Sequence, residues 1–195
     1  MYAYLQGKFS YKSPAQIHLD VNGVGFEVNI SLNTYAAIQH LQEGRLFTYL
    51  QIKEDGHQLF GFFEKEEKDI FLHLISISGV GASTARMMLS SLKPEEVAKA
   101  ITQGNVRLLE SVKGIGKKTA ERIVLELKDK VGKQGDYSGS VSMPAHSSME
   151  NDALQALMAL GIARNQAEQA IQKTVKSQTE ILHLEDLIKK SLKAI

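Results

Sequence analysis

Two segments of this chain have the residue types and spacing to hold an anion. Residues 77–85 read Ile77-Ser78-Gly79-Val80-Gly81-Ala82-Ser83-Thr84-Ala85, and residues 112–120 read Val112-Lys113-Gly114-Ile115-Gly116-Lys117-Lys118-Thr119-Ala120. Both follow one pattern: apolar, any residue, Gly, apolar, Gly, three residues, Ala. They lie 35 positions apart and each runs into an apolar-periodic stretch, so the unit reads as duplicated. Gly-apolar-Gly between two helices lets the backbone turn through conformations that strain other residues. It also leaves the first amides of the following helix without partners, which suits an anion. Two such sites in one small domain match a pair of helix-hairpin-helix motifs gripping two phosphates of a nucleic-acid backbone. The candidate contacts are Gly79, Val80, Gly81, Ala82, Ser83 and Thr84 in the first hairpin. In the second they are Gly114, Ile115, Gly116, Lys117, Lys118, Thr119 and Arg122.

Charge separates the two hairpins. Lys117 and Lys118 fall in the first turn of a helix, where they oppose its dipole. That placement makes sense if an anion sits there, with Arg122 one turn further on. For one motif alone, a solvated helix start explains it as well; the repeat favours the anion. The first hairpin has no lysine at Ala82 or Ser83, so it must rely on amides and the Ser83 and Thr84 hydroxyls. Other chemistries fail on spacing. Ser111 stands where a Walker A loop needs its first glycine and Lys118 where it needs Ser or Thr. Gly23-Val24-Gly25 and Gly79-Val80-Gly81 each lack the third glycine of a dinucleotide fingerprint. His18, His40, His57, His73, His146 and His183 show no metal-ligand spacing. No acidic pair follows either hairpin as a nuclease needs, so no catalytic residue, metal or cofactor is assigned.

Glu54-Asp55 precedes Gly56 at the tip of a predicted hairpin. A turn accounts for the aspartate, whose side chain bonds nearby backbone. Facing DNA, the two acids would instead repel phosphates and hold strands apart. On residue types alone the turn explanation wins.

The elements around these residues divide into three. Tyr2–Tyr11, Ala15–Val21, Val24–Ile30, Arg45–Lys53 and His57–Phe63 are rich in aromatic and β-branched residues with partial alternation. Asn22-Gly23 and Asp55-Gly56 mark two-residue hairpin turns. Five strands, with a short helix or loop over Leu32–Leu41, predict a closed barrel of the OB type over residues 1–64. Residues 65–132 read as helical, with Ile70, Phe71, Leu74 and Ile75 striping the helix before the first hairpin. Lys93-Pro94-Glu95-Glu96 starts another helix and Gly104 ends it. Residues 133–148 are expected to be a flexible linker: the stretch from Gly132 to Ser148 has three glycines, five serines and Pro144. Residues 149–195 return to helical periodicity as a three-helix module. Its predicted stripes are Leu154, Leu157 and Leu160, then Ala167, Ala170 and Ile171, then Ile181, Leu184, Ile188 and Leu192. Ser147 with Glu150, and Asn165 with Glu168, have capping-box spacing.

Composition narrows the class. Hydrophobic residues make up 43% of the chain, enough for packed cores, and the absence of cysteine excludes disulfides and Cys-based metal sites. No basic and apolar leader opens the sequence and no stretch approaches about 20 apolar residues, so a cytoplasmic protein with no membrane partner is expected. Residues 1–64 carry 4 Lys/Arg against 6 Asp/Glu, residues 65–133 carry 13 against 9, and residues 134–195 carry 6 against 7. The basic excess sits with both hairpins, where phosphate binding needs it.

Over all three segments the sequence resembles the RuvA family, bacterial Holliday-junction-binding proteins of the branch-migration machinery. The resemblance rests on Gly114-Ile115-Gly116-Lys117-Lys118-Thr119-Ala120-Glu121-Arg122, on Glu54-Asp55 before Leu59-Phe60-Gly61-Phe62, and on Ala156-Leu157-Met158-Ala159-Leu160-Gly161. It implies an α+β multidomain protein: an OB-fold barrel, a tandem helix-hairpin-helix domain and a UBA-like three-helix bundle. It also implies a homotetramer, or two as an octamer, holding four-way junction DNA open and flat for recombination and repair. Glu54 and Asp55 become acidic pins at the crossover, which reverses the turn reading. The C-terminal module would meet the hexameric ATPase RuvB through Leu157, Leu160, Gly161 and Ile162, and the resolvase RuvC would act on the same junction. The family often has lysine where this chain has Ser83. Two other readings stand beside it: a general helix-hairpin-helix duplex-binding accessory of DNA repair, and a scaffold that uses the hairpins to bind protein.

Overall fold

The computed structural model describes residues 2–54, 56–132, 145–177 and 183–194. It divides into two compact units, Met1–Ser138 and Gly139–Ile195. In the first unit, strands β1 (Tyr4–Lys12), β2 (Gln16–Val21), β3 (Val24–Ile30), β4 (Glu43–Lys53) and β5 (Gly56–Phe62) close a barrel. The order around it is β1-β2-β3-β5-β4, with β3 and β5 parallel and the remaining neighbours antiparallel. This is the expected OB-like barrel. The β2–β3 turn is made by Asn22 at φ 52° and Gly23 at φ 86°, and the Gly23 amide donates to Asp20 Oδ1 at 2.8 Å. Two positive φ values in succession are what Asn-Gly supplies with least strain. Asp55, in the other predicted turn, lies outside the described residues.

Helix α1 (Leu32–Ile38) bridges β3 and β4, capped by Ser31, whose Oγ accepts the Thr34 amide at 3.0 Å. The helical half follows as α2 (Lys65–Ile75), α3 (Ala82–Ser91), α4 (Pro94–Thr102), α5 (Val106–Glu110) and α6 (Lys117–Gly132). Pro94 opens α4, and the Glu96 carboxylate accepts the Lys93 amide at 2.8 Å. Gly104, at φ 68°, closes it, with the Asn105 amide reaching back to the Ala100 carbonyl at 2.8 Å. That is a left-handed glycine cap.

Barrel and helices share apolar contacts. The barrel interior holds Ile17, Leu19, Val28, Ile30, Ile38 and Leu46. Phe60 and Phe62 of β5 belong instead to the helical core, and Phe47 and Tyr49 of β4 pack against it. Phe71 of α2 sits at the centre, its ring 4.8 Å from Phe62, 5.3 Å from Phe60 and 5.5 Å from Tyr49. Polar contacts lock the same joint. Asn33 of α1 donates to the carbonyls of Leu89 and Leu92 at 2.6 and 2.9 Å, satisfying the end of α3. Arg86 of α3 donates to Ala15 O and Asn29 Oδ1 on the barrel at 3.1 and 2.9 Å. The buried Glu67 of α2 accepts from the Ser31 and Thr34 hydroxyls, the latter at 2.6 Å. Thr34 Oγ1 in turn accepts the Phe63 amide at 3.1 Å. Burial pushes the Glu67 carboxyl above its ordinary value, and the two hydroxyl donors oppose that shift.

The second unit holds α7 (Ala145–Ala159), α8 (Arg164–Ser177) and α9 (Leu184–Lys193) around Ala153, Leu157, Ala167, Ile171 and Leu187. Several expectations change here. Helix α7 begins at Ala145, inside the stretch expected to be linker; residues 133–144 lie outside the described residues. Ser147 therefore lies inside the helix and not at its N-terminal boundary. Asn165 likewise follows the first residue of α8, and Glu168 is engaged by Arg164 at 2.7 Å. The stripes shift as well. Leu160 is 64% exposed and Leu192 is 41% exposed, whereas Leu187, absent from the expected stripe, is buried. Ile181 lies outside the described residues. No helix among the described residues is long and apolar enough to cross a membrane.

Candidate nucleic-acid interface

The two hairpins are built alike. Gly79 has φ 93° and Gly114 has φ 92°, a backbone region that L side chains rarely adopt. In the first loop the Val80 amide donates to Ile77 O at 3.0 Å; in the second the Ile115 amide donates to Val112 O at 3.1 Å. The first bond of the following helix runs from Ala85 N to Gly81 O at 2.9 Å, and from Ala120 N to Gly116 O at 3.0 Å. Leu74 and Leu109, Ile77 and Val112, Val80 and Ile115, and Ala85 and Ala120 are all buried at matching places. The repeat is thus one structural unit used twice.

Burial assigns the roles within each loop. Val80 and Ile115 are 5% exposed and Ala82 is 3% exposed, so these side chains anchor the loops and leave only backbone to a ligand. Gly79, Gly81, Ser83, Gly114, Gly116, Lys117 and Lys118 are exposed, and Thr84 and Thr119 are half-buried. Since α3 and α6 each begin after a glycine, no side-chain oxygen at that position caps their first amides. Acid placement separates these helices from α2 and α4, though the short α1 and α5 also lack an acid in the first turn. Helices α2 and α4 start with Glu66-Glu67 and Glu95-Glu96, while α3 and α6 have no acid in the first turn. An acid there would neutralise the positive end of the dipole; these two ends keep it. The loops are also neighbours: a methyl group on Gly114 would lie 3.9 Å from the Thr84 methyl.

Several of the expected contact residues are placed as follows. Arg122 bonds Glu126 through Nε at 2.5 Å, one turn along its own helix, so a phosphate would have to share the guanidinium with that carboxylate. Glu54 is exposed at the β4–β5 tip, while Asp55 lies outside the described residues. In the second unit Leu157 is fully buried and presents no surface. Gly161, at φ 91°, terminates α7, with the Ile162 amide donating to Leu157 O at 3.1 Å and the Gly161 amide to Met158 O at 3.0 Å. Ile162 packs partly into the core. The apolar surface there is left to Leu160 and to Met158, 43% exposed, which the helical stripe does not single out. Sequence spacing also misses Lys113, exposed just before Gly114, which brings a third lysine to the second loop. Among the described residues no group of His, Asp and Glu could hold a metal ion.

Fold and site together define a protein in which an OB-like barrel carries a tandem of helix-hairpin-helix motifs. Family comparison gives the particular family. Residues 1–61 match the RuvA N terminal domain, residues 71–129 the SAM-like helix-hairpin-helix tandem, and residues 148–195 the RuvA C-terminal domain. A protein of Cytophaga hutchinsonii is 44% identical over 99% of both chains. One of Flavobacterium psychrophilum is 46% identical over 99% of both, and one of Christiangramia forsetii is 46% identical over the full length of both. All three relatives are named Holliday junction branch migration complex subunit RuvA. The chain belongs to the RuvA family.

Proposed function

We propose that this chain is the junction-binding, non-catalytic subunit of a branch-migration complex. It holds four-way junction DNA open and recruits a RuvB-type ATPase motor in recombination and repair. The carrying observation is the pair of matched, adjacent hairpins whose following helices begin without acids. Backbone amides at Gly81–Thr84 and Gly116–Thr119 take phosphates, with Lys117 and Lys118 adding charge and Arg122 doing so through the guanidinium N–H groups that Glu126 does not use. Such contacts read no sequence, which suits a protein that must let DNA slide past. A homotetramer, alone or as a facing pair, multiplies modest contacts into junction affinity. Glu54 and Asp55 stand at the crossover and keep phosphates apart. Leu160 and Met158 present an apolar surface to the motor, Leu157 and Gly161 shaping it from beneath and Ile162 from its side. Residues 1–64, 65–132 and 149–195 act as barrel, DNA-binding domain and motor-binding domain, with 133–148 between them, and the complex works in the cytoplasm, where RuvC resolves the same junction.

The test is a mobility shift comparing a four-way junction with linear duplex of the same sequence at two salt concentrations. Strong preference for the junction is expected. Equal affinity for both would reduce the chain to a general duplex-binding accessory, and absence of salt-dependent binding would leave only a scaffold.

A further inference from the structure

We infer that Ile52, beside its cross-strand neighbour His57, is an apolar wedge that packs against a base face where the strands of the junction part. This rests on the junction reading above and deepens it. Along β4 the even-numbered residues turn towards the barrel interior: Leu46 and Thr48 are buried and Leu50 is half-buried. Ile52 continues that face but is 68% exposed, because the β4–β5 arm has by then run past the barrel. Its register partner is His57, also exposed, and the next pair is Lys53 with Gly56. Side chains alternate along a strand, so Lys53 leaves from the opposite face and does not shield Ile52. The end of the arm thus carries an aliphatic and an imidazole side by side on one flank.

Charge decides what can meet that flank. Glu54 is exposed two residues further on, and a carboxylate at the tip repels phosphates. The part of DNA that can approach an apolar patch just behind an acid is a base and not the backbone. Aliphatic side chains placed against base steps unstack them, which is the step a crossover needs. Strand formation does not itself demand an aliphatic at this place, because threonine is equally β-branched and fits an exposed strand.

The experiment uses the full chain and a four-way junction with 2-aminopurine at the crossover, whose fluorescence rises when its base unstacks. Ile52→Thr should bind the junction within about twofold of the parent, since phosphate contacts carry affinity. The fluorescence rise on binding should fall by roughly half or more, and Ile52→Leu should restore it. An unchanged rise in I52T, with the parent binding the junction tightly, overturns the wedge and leaves the junction reading intact. A loss of molar mass in I52T by light scattering also overturns it, because Ile52 would then be a contact between copies. If the parent shows no preference for the junction over duplex, the junction reading itself fails.

Discussion

Replacing Lys117 and Lys118 together with glutamine should move stability and DNA binding in opposite directions. Both residues stand exposed in the first turn of α6, a turn with no acid, so each ammonium faces the positive end of the helix dipole. A charge so placed costs about 0.3–1 kcal/mol at low salt, and glutamine has nearly the same helix propensity. The variant should therefore be as stable as the parent or slightly more so. Binding should weaken. Each phosphate that is no longer neutralised lowers the slope of log affinity against log salt by about 0.9, which is about 3.5-fold between 50 and 200 mM salt. Two such phosphates give about 12-fold per hairpin over that range. Fluorescence anisotropy of a labelled junction at several salt concentrations measures the slope, and thermal unfolding measures stability. A variant with an unchanged slope and a lowered melting temperature would refute the reasoning, since the lysines would then be holding the fold and not the phosphate.

Two further outcomes follow from the same geometry. Gly79→Ala and Gly114→Ala meet nothing closer than 3.9 Å, so the destabilisation, about 1–2 kcal/mol each by thermal unfolding, comes from φ near 92° alone. Similar destabilisation at both sites is expected because the loops match; an effect at only one would contradict their equivalence. Glu67 supplies a pH dependence. Burial raises its folded-state pKa above the unfolded value, so its stabilisation is complete below the unfolded pKa and is lost as pH rises through the folded one. The stability difference between parent and Glu67→Gln should shift against the parent over that window, measured by melting at stepped pH. A difference moving the other way would show that the Ser31 and Thr34 hydroxyls, and not burial, dominate.

Local features are legible in the order of residues alone. The five strands fall within two residues of their predicted bounds because alternation and Asn-Gly turn chemistry act over a few neighbouring residues. The paired hairpins are legible for the same reason, since positive φ at Gly79 and Gly114 is a demand of the backbone itself. The C-terminal helices show where such reading stops. Ser147 and Asn165 have capping-box spacing, yet α7 and α8 start earlier, because spacing does not say where a chain segment first meets its packing partner. Leu157 and Leu160 look alike in a stripe, but Gly161 ends α7 and turns Leu160 outward.

By itself the sequence determined the five strands, the duplicated hairpin and the family motifs, since each rests on residues close together in the chain, whereas closure of the barrel joins β1 to β4 and β3 to β5. Tertiary structure alone decided that the Val80 and Ile115 side chains are buried as loop anchors, and that Arg122 is already paired. It also decided that Glu67, one more acid in a charged run, is buried against Ser31 and Thr34 where helix meets barrel. Burial and pairing depend on which distant segments arrive at the same place, and residue spacing carries no record of that arrival.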